Sequence, residues 1–343
     1  MDHYAGIDVS LEASSVCVVD ATGKIVREGK VATEPAALIA WFGAVKLKFV
    51  RIGLEAGPLS QWLFPELKKA GLAIELLETR HVRNAFKTMA VKTDRKDARG
   101  IAELMRVGWF KPVHCKSISA QETRVMLNTR SLVQEKLKDV EASMRGMLRN
   151  FGLKVGRTTH TRFAVRIKEL VAGHPTLEIM AESLLAVQAV LLQEFKNLEK
   201  RVRIIARHDE QARLLMTTTG VGPIVSLTYA AAIDDPARFK KSKTVGSHFG
   251  ITPKKYQSGE IDITGRISKI GDKSVRLALC QAAHIILTKP VKSSLLKDWA
   301  LRLAKRIGMK KAKVALARKL AVIMHRMLVD GTPFNPAEGA AKA

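Results

Sequence analysis

Tyr4-Ala5-Gly6-Ile7-Asp8-Val9-Ser10 opens the chain as a short apolar strand carrying a single acid. A second apolar run follows at 15–19, then the turn Asp20-Ala21-Thr22-Gly23 and a third run at 24–31. Two such runs joined by a glycine-containing turn read as an antiparallel hairpin built onto the first strand. A helix begins near Pro35, where proline is allowed in the first turn, and carries Leu38, Ile39, Trp41 and Phe42. A fourth strand at Phe49–Glu55 stops at Ala56-Gly57-Pro58, a helix spans 59–69, and a fifth strand spans 73–77. Three meandering strands followed by alternating helices and strands describe an α/β sheet of the ribonuclease-H type. The right-handed crossover rule places strand four beside strand one.

That topology gathers acids. Asp8 lies late in strand one and Glu55 ends strand four, and ligand sites in open α/β sheets form at such strand ends. Further on, Val91-Lys92-Thr93-Asp94-Arg95-Lys96-Asp97-Ala98 sets Asp94 and Asp97 three apart at a helix start, with Thr93 as N-cap. This spacing puts both carboxylates on one helix face, about 5–6 Å apart at Cβ. Read alone, the pair is a solvated helix start that suits the macrodipole, with Arg95, Lys96 and Arg99 at hand to pair with it. Asp8 alone is an edge residue before a turn, and Glu55 alone a solvated strand end. Together the four make an all-oxygen set suited to Mg²⁺ or Mn²⁺. Two such ions, about 3.5–4 Å apart, can clamp a phosphodiester for in-line displacement. An actin-like ATPase would share the sheet and the first acid, but it should show glycine-rich phosphate loops, which this sequence lacks.

Charge points to the same substrate. Residues 1–100 hold 15 Lys/Arg against 12 Asp/Glu, whereas the remaining 243 hold 43 against 20. A polycationic rear two-thirds favours nucleic acid as partner, because each phosphate neutralised releases counterions. An anionic membrane is the rival, yet no signal peptide and no apolar run near 18 residues is evident, so no membrane partner is expected. Cys17, Cys115 and Cys280 are far apart with no CxxC pair, which suits a reducing cytoplasm.

Apolar residues recur at heptad spacing from 119 to 151 (Met126, Val133, Leu137, Val140, Met144, Met147, Phe151). A second stripe runs from 177 to 214 through Leu184, Val187, Leu191, Leu198, Val202 and Ile205. These are packing seams, within an antiparallel pair or between subunits. Thr218-Thr219-Gly220-Val221-Gly222-Pro223 then resembles a helix-hairpin-helix turn, whose amides can hold a DNA phosphate at Gly220 and Gly222. A tight helix–helix corner with no ligand reads equally well. From 237 to 327 there are 22 Lys/Arg against 4 Asp/Glu, a density that suits a nucleic-acid groove. Inside it, a loop-rich stretch holds Ser258 before Gly259, flanked by Lys254, Lys255, Arg266 and Lys269. A hydroxyl in a cationic pocket is what phosphoryl attack needs, but Ser-Gly is also a common turn pair and on chemistry alone the turn is favoured. His248 is near, with no partner that the sequence identifies.

Gly6-Ile7-Asp8-Val9-Ser10, Glu55-Ala56-Gly57, Lys92-Thr93-Asp94-Arg95-Lys96-Asp97-Ala98, Gly220-Val221-Gly222-Pro223 and Ser258-Gly259 with Gly265-Arg266-Ile267-Ser268-Lys269-Ile270-Gly271-Asp272 occur in that order. The series resembles the DEDD transposases of insertion-sequence family 110, relatives of the Piv invertase, over nearly the whole chain. The resemblance implies a RuvC-like domain at 1–158, a helical coiled-coil linker at 159–213 and a mainly α transposase domain at 214–343. It implies that Asp8, Glu55, Asp94 and Asp97 are the catalytic, metal-holding acids, and that Ser258 is the nucleophile forming a phosphoserine intermediate. It further implies donor and target DNA, a non-coding bridge RNA and a homodimer or homotetramer as partners, in the bacterial cytoplasm at the nucleoid. Departures are Leu11, where lysine is frequent, and Gln257-Ser258-Gly259-Glu260 in place of Ser-Ser-Gly-Gly, which leaves Ser268 as a competitor. Two rivals stand beside this reading: a RuvC-type metal-dependent endonuclease without serine chemistry, and a non-catalytic nucleic-acid-binding protein.

Overall fold

The computed structural model describes residues 1–88 and 93–337, so Val91 and Lys92 of the acidic motif lie outside the described residues. The chain forms two compact units, Met1–Lys116 and Ser117–Ala343.

The first unit is built on strands β1 (His3–Asp8), β2 (Ala13–Asp20), β3 (Ile25–Ala32), β4 (Phe49–Glu55) and β5 (Ile74–Leu77). Their order in the sheet is β3-β2-β1-β4-β5. The first three pair antiparallel, while β4 and β5 run parallel to β1. This is the mixed sheet that the spacing of apolar runs predicts, with β4 beside β1. Strand alternation sends Ala5, Ile7, Val16, Val18, Ile52, Leu54, Ile74 and Leu76 to one face. There they pack against Leu38 and Phe42 of α1 (Pro35–Val45) and Leu63 and Leu67 of α2 (Ser60–Lys69).

The opposite face takes α3 (Thr79–Ala85) and α4 (Asp94–Val107). Ile101 and Met105 of α4 join Leu77 and Val82, and Ala98 and Ala102 pack on Cys17 and Val19. The approach is close because β1 and β4 present glycines where α4 crosses. A β-carbon on Gly6 would stand 2.2 Å from the Ala98 carbonyl oxygen, and one on Gly53 would stand 2.6 Å from Ile101 Cγ2. Gly6 and Gly53 are register partners, so the two strands offer one flat seat for the helix.

Among its described residues, the second unit is helical apart from one hairpin. Long helices α5 (Ile118–Arg149) and α7 (Pro175–His208) pack side by side, with α6 (His160–Val171) laid across their far end. The seam is partly shifted from the heptad reading: Leu137 and Met144 of that stripe are buried, and Leu148, Leu177, Ala181 and Leu185 join Met144, whereas Met147, Phe151 and Val187 face solvent. Helix α6 causes the shift, because Phe163, Ile167 and Val171 occupy the groove and draw a third row of side chains inward. The expected single helix to 214 breaks at Asp209, whose side chain caps α8 (Glu210–Met216). Helix α7 also corrects the expectation of no long apolar run, since by length and composition alone it could cross a membrane. One side of it is instead packed on α5 and α6 and buries the amide of Gln188.

The core of this unit lies among α9 (Pro223–Ile233), the short α10 (Val245–His248), α11 (Lys273–Thr288), α12 (Leu295–Ile307) and α13 (Met309–Asp330). Helix α5 belongs by packing to this unit. The stretch expected to be loop-rich contains a two-stranded hairpin, β6 (Pro253–Ser258) and β7 (Ile261–Ile267).

Candidate functional site

Asp8 stands two residues beyond Gly6 and Glu55 two beyond Gly53, so strand alternation puts both carboxylates on the face that carries α4. Helix α4 runs against β1, for its later turn meets the β2–β3 turn, where Arg106 donates to the Ala21 carbonyl oxygen at 3.3 Å. Its N-terminus therefore lies at the strand ends that hold Asp8 and Glu55. Thr93 caps it as its spacing predicts, accepting from the Lys96 amide at 3.3 Å. Asp97 is buried at 9% exposure, while Asp94, three residues earlier, is exposed. Unscreened amides at this helix end favour the acids placed there.

Arg95 does not serve this pair in the way a solvated helix start suggests. Its Nε donates to Glu28 of β3 at 2.6 Å. Beneath it, burial and the neighbouring Glu28 push the Cys17 thiol up to about 12.

Glu55 and Asp97 line one cavity of about 280 Å³, together with Thr79, Arg83, Phe86 and Lys87. Sequence reasoning missed these four. Their signal was an i, i+4 cationic pair, Arg83 and Lys87, directly after the fifth strand. Thr79 ties this segment to the end of β4 by donating to the Ala56 carbonyl at 2.7 Å. The wall thus mixes two carboxylates with two cations, which suits an anionic substrate lying beside a divalent ion. Among the described residues, no three His, Cys, Asp or Glu side chains are drawn close enough to form a metal cage. The donor set fits a hard cation by its chemistry, and the side chains are not closed around one point.

In the second unit, Ser258 ends β6 and pairs with Ile261 across Gly259 and Glu260, with Gly259 at φ +56° making the turn. It is exposed at the hairpin tip. By alternation it shares a face with Lys254, Tyr256, Ile261 and Ile263, and the other face holds Lys255 and Asp262, 3.8 Å apart. Arg266 and Lys269 are exposed nearer the base. Ser268 differs from Ser258: it is half-buried there, its amide donating to the Thr252 carbonyl and its hydroxyl accepting from the Ile270 amide. Arg276 clamps the same base, its Nη1 donating to the carbonyls of Phe249, Ile270 and Gly271. His248 is engaged by Arg238 at 3.2 Å and by the Phe239 ring.

Gly220 sits at φ +82°, where a β-carbon would stand 2.7 Å from Ile286 Cγ1, so packing against α11 accounts for it. Gly222 has open space around it and leads into α9. Asp272 caps α11 and binds Arg124 of α5. Burial raises the proton affinity of this carboxyl, but Arg124 and the capping amides outweigh burial and hold it below its ordinary range.

Comparison with known proteins gives this arrangement its class. A profile of DEDD transposases matches residues 5–152, and one described as "Transposase IS116/IS110/IS902 family" matches residues 212–296. The chain is a transposase, an enzyme class that cuts and rejoins DNA, with a ribonuclease-H-like first unit. The transposase for insertion sequence element IS1111A of Coxiella burnetii is 24% identical, the match covering 94% of this chain and 88% of that one. The transposase for insertion sequence element IS1328 of Yersinia enterocolitica is 25% identical over 83% of this chain and 85% of its own. The two profiles together match about two-thirds of the chain, which belongs to the IS116/IS110/IS902 transposase family. Among solved structures, that of Thermus thermophilus RuvC matches at 16% identity and a TM-score of 0.26, over 32% of this chain and 99% of that one.

Proposed function

We propose that the chain excises and inserts a mobile element by serine chemistry, with Ser258 as nucleophile and Asp8, Glu55, Asp94 and Asp97 as the acidic site. In this reading Ser258 Oγ attacks a backbone phosphorus. A serine–phosphate bond forms, the bond to the 3′ oxygen breaks, and the serine proton is balanced by the proton gained at the free 3′-hydroxyl. Reversal onto another strand conserves the bond energy, so no nucleotide cofactor is required. The four carboxylates would hold a Mg²⁺ or Mn²⁺ ion, which when bound supplies charge stabilisation at the phosphoryl and leaving oxygens. Lys254, Lys255, Arg266 and Lys269, with the open turn at Gly222, would hold the strand by its phosphates.

The observation that carries the reading is the position of Ser258: an exposed hydroxyl at the tip of a cationic hairpin in a chain of this family. The functional division expected with it is 1–158, 159–213 and 214–343. The diffuse positive charge suits a protein that reads backbone shape and leaves sequence recognition to a non-coding guide RNA. Exposed apolar residues on α5 and α7 suit a second copy of the chain, in a dimer or tetramer acting in the cytoplasm at the nucleoid.

A hydrolytic RuvC-type nuclease is the second reading, favoured by Glu55 and Asp97 meeting in one cavity without help from any serine. The two separate in one experiment. The protein is expressed with its native flanking DNA, and a denaturant-resistant protein–DNA adduct is sought in wild type, Ser258→Ala and Asp8→Ala. An adduct that vanishes in Ser258→Ala supports the serine recombinase. Strand cleavage without an adduct, unchanged in Ser258→Ala and lost in Asp8→Ala, leaves the nuclease.

A further inference from the structure

The far end of the α5–α7 pair holds a cationic recess that the chemistry above does not use. Between Ala142 and Lys168 the sequence has seven lysines and arginines and no carboxylate. Where α5 ends and the chain turns towards α6, Arg145, Arg149 and Lys154 line a recess of about 300 Å³ with Val155 and Gly156. Arg145 is fixed in place: its guanidinium lies 5.1 Å over the Phe163 ring and donates to the Gly156 carbonyl at 2.6 Å. Arg149 and Lys154 are exposed and can move. The preceding acid, Glu141, is engaged elsewhere, accepting from Gln188 Nε2 at 3.1 Å and lying 2.8 Å from His160 Nδ1.

Three cations converging on one recess repel one another, and an anion placed among them removes that cost. A fixed guanidinium fork with a mobile ammonium is a donor set that matches phosphate. Phe151, 60% exposed on the same turn, adds a bare aromatic ring of the kind on which bases stack.

We propose that this tip is a separate nucleic-acid contact, in which Arg145, Arg149 and Lys154 hold a backbone phosphate of DNA or RNA. The inference rests on the chain's acting on nucleic acid and is independent of the role of Ser258. Arg149 lies 25 residues along α5 from Arg124, the partner of Asp272 at the start of α11. At 1.5 Å per residue the tip is about 37 Å from that point. That is roughly one turn of B-form duplex. A duplex of more than two turns is therefore long enough to reach from the tip past the start of α11.

The test uses the full chain and reads binding alone, so a failure of the catalytic reading leaves it intact. Arg149→Ala/Lys154→Ala keeps Arg145 and its packing, and Lys48→Ala/Lys69→Ala removes equal charge from exposed sites of the first unit. Binding to a duplex DNA longer than two helical turns, and to a stem-loop RNA, is followed by fluorescence anisotropy against salt. The expected result is that the tip variant alone lowers the slope of log K against log salt, by up to about 0.9 on duplex or about 0.7 on the single-stranded loop of the RNA, the share of one phosphate. The probe that shows the fall identifies the strand. A tip variant whose slope falls no further than the control's overturns the proposal. So does loss of binding to phosphatidylglycerol vesicles with both nucleic-acid slopes unchanged, which would assign the tip to an anionic membrane.

Discussion

Gly6 of β1 and Ala98 of α4 touch so closely that a β-carbon on the glycine would stand 2.2 Å from the alanine carbonyl oxygen. The contact is backbone to backbone, so no side chain can rotate away to relieve it. Asp97 precedes Ala98, which makes the seat of the helix also the support of the acid. Gly6→Ala must lift α4 from the sheet, and overpacking of this kind costs about 1–3 kcal/mol. We expect a lower Tm, with strand cleavage lost more completely than folding. Gly43→Ala is the control, since Gly43 lies within α1 with nothing within 4 Å of the added methyl. There the gain in helix propensity should raise stability by about 0.5–1 kcal/mol.

Glu55 and Asp97 share their cavity with Arg83 and Lys87, so a divalent ion and a phosphate would find complementary walls there. A ligand that binds only the folded state stabilises it by about 1.4 kcal/mol at ten times its Kd. Mg²⁺ or Mn²⁺ should therefore raise the Tm of the wild type. Asp97→Asn, compared with its own Tm in the absence of the ion, should lose the increment. An equal increment in Asp97→Asn would show that the ion binds elsewhere.

The sheet was legible because its signals are local. Each strand is an apolar run with a turn beside it, and β4 matches its expected limits at Phe49 and Glu55. The placement of Asp8 and Glu55 at neighbouring strand ends followed from topology, since parallel β1 and β4 must end side by side. What the sequence hid depends on tertiary contact. Nothing around Thr79 announces that it would close a cavity, because its bond to the Ala56 carbonyl spans 23 residues. The hairpin at 253–267 was hidden for another reason. Every β6 side chain and all but the last of β7 are exposed, so no buried face imposes the usual apolar signature. In the long helices the heptad stripe was real, but it could not tell a partner in the same chain from one in another. Within the chain helix α6 takes part of the groove, and Met147, Phe151 and Val187 of the stripe remain exposed.

Arg124 and Asp272 join α5 to the start of α11 across 148 residues, 2.5 Å apart. Asp272 also caps α11 through the amides of Ser274 and Val275, which explains an acid of the Gly271-Asp272 block by structure rather than chemistry. Removing Arg124 leaves a mostly buried carboxylate with its cap bonds alone, at a cost of roughly 1–3 kcal/mol. Because the folded carboxyl is held below its unfolded value of 3.8, the pair's contribution is full above that pH. It is lost as pH falls through the lower folded value. Arg124→Met should therefore reduce the Tm near neutrality and narrow its gap to wild type in strong acid. A constant gap at every pH would mean that the arginine acts by packing.

His325 on α13 is fully buried, with Nδ1 2.9 Å from Ser242 Oγ and Nε2 3.1 Å from the Pro236 carbonyl. The carbonyl requires a donor, so the neutral ring carries its proton on Nε2 and Nδ1 accepts from the serine. Burial lowers the proton affinity of this ring; the Pro236 carbonyl partly opposes the shift, and the charge of Arg238 adds to it. In the unfolded chain the ring titrates at its ordinary value of 6.5. The unfolded state thus binds the proton first as pH falls, and stability that is whole above 6.5 drains away through the interval down to the folded value. The loss amounts to about 1.4 kcal/mol for each tenfold difference between the two proton affinities. Wild type should unfold at lower temperature at pH 5 than at pH 7.5, and His325→Gln, less stable throughout, should show a flatter profile over the same range. An equally steep profile in His325→Gln would assign the acid sensitivity to another group.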